Sequence, residues 1–162
     1  MTTLTQSISI QPENIINKLK QFDPKANYQI DKLIYYPYHF FKYKMKAKGL
    51  LKLDGYLGCT IDSISGQGAI IDHTPLFMEE NLHDQPCLPS TLSLQDAKIM
   101  AEDFLNHSAS LKLKFFSIPK MQLEQHERFF RPYWIIVNQK NNEKYPSIMI
   151  DGVSGKYHPL NI

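Results

Sequence analysis

Cysteine is scarce in this 162-residue chain, which holds only Cys59 and Cys87. Two thiols cannot build the multi-bridge framework of a small secreted domain, and they stand too far apart for a C-x-x-C zinc motif. Both are read as reduced. Net charge is scarce too, since 18 Lys and Arg against 16 Asp and Glu leave a formal +2. No basic arm or tail concentrates it, so nucleic acid is not the expected partner. Apolar runs of roughly 18 residues, which would suggest a membrane span, are missing. The stretch from Met1 to Leu19, MTTLTQSISIQPENIINKL, lacks the basic start, apolar run and cleavage site of a secretory signal. A cytoplasmic location is expected, or an extracytoplasmic one if a leader had been removed.

Catalytic signatures are also lacking. His39, His73, His83, His107, His126 and His158 show no H-x-x-x-H or H-E-x-x-H spacing. His73 and His83, each beside an aspartate, form the one pair worth testing as metal ligands. No G-x-S-x-G elbow marks a nucleophile. Gly66-Gln67-Gly68 is too short for a phosphate loop and does not open a helix. The expectation is a chain without catalytic residues, cofactor or metal.

A composition of 43% hydrophobic and 21% charged residues is that of a folded protein, long enough for one domain or two very small ones. Three segments recur in the same order. SIQPENII, Ser9 to Ile16, pairs with SLQDAKIM, Ser93 to Met100. Both read as helix starts, with Ser9 or Ser93 as cap and Glu13 or Asp96 at the positive end of the dipole. Ile15, Ile16, Leu19 and Phe22 in one helix, and Ile99, Met100 and Phe104 in the other, form the predicted buried stripes. Pro37-Tyr38-His39-Phe40 pairs with Pro132-Tyr133-Trp134-Ile135, each opening an extended segment. Ile61-Asp62-Ser63-Ile64-Ser65-Gly66 pairs with Ile150-Asp151-Gly152-Val153-Ser154-Gly155.

Asp62 and Asp151 would make a carboxylate pair if the last match meant chemistry. The structural reading explains more. Either aspartate can accept from backbone N–H groups ahead of it in a hairpin turn, and Gly66 or Gly155 can close the turn in the left-handed region. The strand Trp134 to Val137 and the strand and turn Ile148 to Gly155, following the helix that opens at Ser93, resemble the PepSY family from Ser93 to Leu160. The first half is similar more loosely, with His39 where the second has Trp134. The resemblance implies a helix packed on an antiparallel sheet, and a non-enzymatic role as an interaction or peptidase-inhibiting module.

The expected fold is therefore α+β, with two tandem helix-plus-antiparallel-sheet, PepSY/cystatin-like repeats. The first spans residues 1–73, a proline-rich connector 74–91, and the second 92–162. Leu111 to Pro119, LKLKFFSIP, alternates like a further strand. Period two also places Lys42, Lys44, Lys46 and Lys48 on one strand face, opposite Phe41, Tyr43, Met45 and Ala47. That row is either a solvated or edge-protecting face or a surface for an anionic partner. The expected function is a non-catalytic binding module acting on a partner, which is expected to be another protein. The alternative is a small-molecule-binding protein or enzyme with its site at the junction of the repeats.

Overall fold

The computed structural model describes residues 2–47, 53–113, 119–140 and 143–159. The protein is mostly β, with 49% strand and 20% helix. Among the described residues the helices are α1 (Pro12–Phe22) and α2 (Leu94–Leu113). The strands are β1 (Thr3–Thr5), β2 (Tyr28–Ala47), β3 (Leu53–Asp62), β4 (Gly68–Ile71), β5 (Met78–Glu80), β6 (Lys120–Lys140), β7 (Glu143–Asp151) and β8 (Tyr157–Pro159). They form one mixed sheet in the order β4-β3-β2-β6-β1-β5, with β7 beside β6 and β8 beside β7.

This corrects the expectation of two tandem helix-plus-sheet repeats. The chain forms two compact units, each drawn from segments separated in the sequence. One comprises Met1–Tyr36, Leu76–Leu88 and Phe130–Ile162, and the other Pro37–Pro75 and Pro89–Phe129. Sequence similarity gave the order of the elements but not their packing partners. The helix that packs with the Asp151 hairpin is α1, and the helix that packs with the Asp62 hairpin is α2.

In the first unit Ile15 of α1 packs with Ile136 of β6 and Ile150 of β7, and Leu19, Tyr28 and Trp134 pack around them. Ser9 does not cap α1. The helix begins at Pro12, whose missing N–H costs nothing there, and its cap residue Gln11 makes no side-chain bond. The N–H groups of Ser9 and Ile10 instead donate to the Gly152 carbonyl at 2.8 and 2.9 Å. Phe22 lies outside the predicted buried stripe, at 88% exposure. Met78–Glu80, inside the proline-rich stretch, pairs antiparallel with β1.

In the second unit α2 packs on β3 and β4. Ser93 caps it, accepting from the Asp96 N–H at 3.1 Å and donating to Asp96 Oδ2 at 2.6 Å. The buried stripe is Ala97, Ala101, Leu105 and Ala109, whereas Ile99 and Met100 are 49% and 38% exposed. Small side chains let the helix approach the aromatic layer of Phe41 and Tyr43, which supplies the bulk of the core. Of the expected strand Leu111 to Pro119, Leu111 to Leu113 belong to this helix and residues 114–118 lie outside the described residues. Backbone proximity is close elsewhere too: a Cβ at Gly68 would stand 2.6 Å from Cγ of Phe104. Gly68→Ala is expected to push Phe104 out of place and cost about 1–3 kcal/mol, seen as a lower urea midpoint at unchanged slope.

Candidate functional site

Along β2, Phe41, Tyr43 and Met45 are buried on the face packed by α2, and Lys42, Lys44 and Lys46 alternate with them. Lys48, the fourth residue of the expected row, lies outside the described residues. β2 is an interior strand, with β3 on one side and β6 on the other. Edge protection therefore does not account for its lysines. Register sets their neighbours, with Gly58 opposite Lys42, Tyr56 opposite Lys44 and Asp54 opposite Lys46. Nζ of Lys42 sits 5.0 Å from the centroid of the Tyr56 ring, a cation–π contact. Lys44 and Lys46 share a shallow recess of about 270 Å³ with Lys120, Met121 and Gln122. Among the described residues none of these four lysines closes an ion pair.

A cleft of about 380 Å³ lies on this face, with Phe40, Gly58 and Ile71 lining it alongside Lys42, Tyr56, Asp72 and His73. Gly58 pairs with Lys42 on one side and Ile71 on the other, so the cleft spans three strands. The ring of Phe40 and the Ile71 carbonyl close over Gly58, 3.3 and 3.1 Å from where a Cβ would stand. Tyr56, Gly58 and Lys120 are absent from the sequence-based site. Period two in Tyr56-Leu57-Gly58 could have revealed the first two once their register against β2 was known.

A second polar cluster, also unforeseen, lies inside the same unit. His39 Nδ1 and His126 Nε2 are 2.9 Å apart, and the rings stack with centroids 5.2 Å apart. Phe41 closes against His126 at 4.8 Å. His39 is buried, and its Nε2 has no hydrogen-bond partner among the described residues. Burial, then His126 and Arg128, lowers its pKa to about 4, and burial also lowers that of His126. The pair is thus neutral near pH 7, one ring donating to the other.

The two aspartates serve their own turns. Asp62 Oδ1 accepts from the N–H groups of Ile64 and Ser65 at 2.8 and 3.0 Å. Asp151 Oδ1 accepts from Val153 and Ser154 at 2.8 and 3.3 Å. Gly66 and Gly155 close these turns at φ of 75° and 72°, where a Cβ would be strained. Asp151 also receives Arg131, Nε to Oδ1 at 3.0 Å and Nη2 to Oδ2 at 2.7 Å, and the Ser154 hydroxyl at 2.7 Å. Burial pushes the Asp151 carboxyl up, but Arg131 and Ser154 more than offset it and hold the pKa below the usual range. Both carboxylates thus have structural work within their hairpins.

His73 stands on the rim of the cleft, and His83 pairs with the neighbouring Asp84 at 3.1 Å in solvent. Among the described residues no three His, Cys, Asp or Glu side chains gather as metal ligands. Burial pushes the Cys59 thiol up to about 12, so it remains protonated, and Cys87 is exposed. Among the described residues no helix is long and apolar enough to cross a membrane. In the first unit an apolar groove of about 440 Å³ runs along α1 past Ile10, Leu19, Phe22 and Tyr157. No family model, curated protein or solved structure matches the chain.

Proposed function

We propose that the chain is a non-catalytic binding module that holds an acidic segment of a partner protein against the lysine face of β2 and thereby modulates that partner. The observation that carries this reading is the row Lys42, Lys44 and Lys46 on an interior strand, joined by Lys120 and, among the described residues, free of internal ion pairs. Such cations keep their charge available to an outside partner and steer its approach. Asp54 across from Lys46 and Asp72 at the cleft favour a polypeptide over a nucleic acid. They would repel a dense run of phosphates, whereas a peptide presents amide N–H groups they can accept from. The local likeness to the PepSY pattern around Asp151 supports a modulating rather than catalytic role.

The test is affinity for poly-glutamate at low ionic strength. The native chain should bind, and binding should weaken steeply with added salt. The double variant Lys44→Glu/Lys46→Glu should lose at least about tenfold in affinity, because two attractions become repulsions. Equal affinity for the native chain and the variant, at equal stability, contradicts the reading.

A further inference from the structure

We infer that β4 is the contact strand of a homodimer, in which the outer edge of Gly68–Ile71 pairs antiparallel with the same edge of a second copy and continues the sheet across both chains. This edge is separate from the lysine row, and its pairing does not depend on the proposed function.

β4 ends the sheet, with β3 on one side only. The register pairs Thr60 with Ala69 and Gly58 with Ile71, and the Asp62 N–H donates to the Gln67 carbonyl at 2.9 Å. Hydrogen-bonded pairs alternate along an antiparallel ladder, so Ala69 and Ile71 turn their N–H and C=O groups toward β3. Gly68 and Ile70 turn theirs outward, where they meet no hydrogen-bond partner among the described residues. The other strands that end the sheet carry devices that discourage pairing. β5 holds Glu79 and Glu80, and β8 ends in Pro159, which has no N–H to give. β4 reads Gly-Ala-Ile-Ile, without charge or proline.

The occupant that fits this edge is a second copy of the chain. The strand is neutral and apolar, with Asp72 just past its end, so an acidic segment suited to the lysine row finds no cation on it. Its own sequence is self-complementary. A two-fold axis through the Ile70 pair lets the two Ile70 residues exchange both of their backbone bonds. It also sets Ala69 opposite Ile71 of the second copy and Asp72 opposite Gly68, so no like charges meet directly. Ala69 is exposed and Ile70 and Ile71 are only partly buried, so each gains cover. The helix α2 adds area. Met100 lies beside Gly66 and Phe104 over Gly68, which places α2 along β4, and Met100 is 38% exposed. Continuing the sheet brings the second α2 alongside on the same face, where the two helices cover that flank. The axis stands perpendicular to the sheet, so the lysine rows of both copies face the same way, roughly 24 Å apart at one strand spacing per step.

The experiment is sedimentation equilibrium of the full chain over a range of micromolar concentrations, read together with amide hydrogen exchange. The expected result is a reversible species of twice the 18.8 kDa chain mass. Its formation should slow exchange of the Ile70 amide at least about tenfold, while the Ala69 and Ile71 amides, bonded to β3, stay slow at every concentration. Ala69→Lys changes an exposed side chain and leaves the β3 ladder intact. It should raise the dimer dissociation constant about tenfold or more, because it sets an edge lysine against Ile71 of the second copy. A chain that stays monomeric at the highest concentration overturns the inference and leaves the proposed function standing. So does a dimer whose Ile70 amide exchanges as fast as in the monomer, or one that Ala69→Lys leaves unchanged.

Discussion

Replacing Asp151 by asparagine is expected to lower stability by about 3 kcal/mol, because one change breaks a buried ion pair and weakens a turn together. Asp151 is 5% exposed, and Arg131 reaches both of its oxygens at 3.0 and 2.7 Å. An asparagine keeps one carbonyl oxygen for the N–H groups of Val153 and Ser154, but it turns an amide toward the guanidinium. Arg131 would then be left largely desolvated without a counter-charge. The figure is set at the lower end for a broken buried pair because the Arg131 side chain retains 23% of its exposure. Urea unfolding at pH 7 checks it. The Arg131→Met/Asp151→Asn double variant should lose less than the sum of the two single changes. A loss below about 1 kcal/mol for Asp151→Asn would mean that the pair is solvated in practice.

The second large effect is a loss of stability in mild acid that originates at His39. Its folded pKa is depressed to about 4 from 6.5, chiefly by burial and then by His126 and Arg128. The unfolded chain therefore binds more protons between these values. Stability attributable to the neutral ring is complete above pH 6.5 and is lost as pH falls toward 4. At roughly 1.4 kcal/mol per pH unit, that interval is worth about 3 kcal/mol. Burial explains the sign, since a charged His39 ring would lose its hydration, and once both rings are protonated two donors face each other across 2.9 Å. The groups facing the pair are Arg128, which opposes protonation of His39, and Glu127, which favours protonation of His126. Carboxylates contribute to acid unfolding in any chain, so the informative quantity is a difference. His39→Phe, which can stack on Phe41, should flatten the decline in unfolding free energy between pH 6.5 and 4.5 relative to the native chain. Parallel curves would contradict the assignment.

Local features were the more legible in the sequence. The lysine–aromatic alternation along residues 41–46 was visible as period two, and the hydrogen bonds made by Asp62 and Asp151 follow from residue types adjacent in the chain. What could not be read was partnership at a distance. Ser9 and Thr91 precede their helices alike, but Ser9 donates to Gly152 and Thr91 to Ser63. Nothing in either segment states which hairpin it will meet. Strands of 20 and 21 residues, β2 and β6, contribute to both compact units, and the prolines at 37 and 132 masked that continuity by suggesting a strand start. The α2 stripe was misread for another reason. Apolar size pointed to Ile99 and Met100, whereas the tight approach to Phe41 and Tyr43 selected alanines. The His39–His126 pair joins rings 87 positions apart and carries no motif.

The central claim is that an acidic polypeptide docks on the lysine face of β2. The most direct measurement is an amide chemical-shift map of the isotopically labelled full chain during titration with poly(Glu,Ala) at low salt. The account predicts shifts at Lys42, Lys44, Lys46, Tyr56 and Lys120 that reverse when salt is raised. An unchanged map, or one centred on Leu19, Phe22 and Tyr157 along α1, would contradict it.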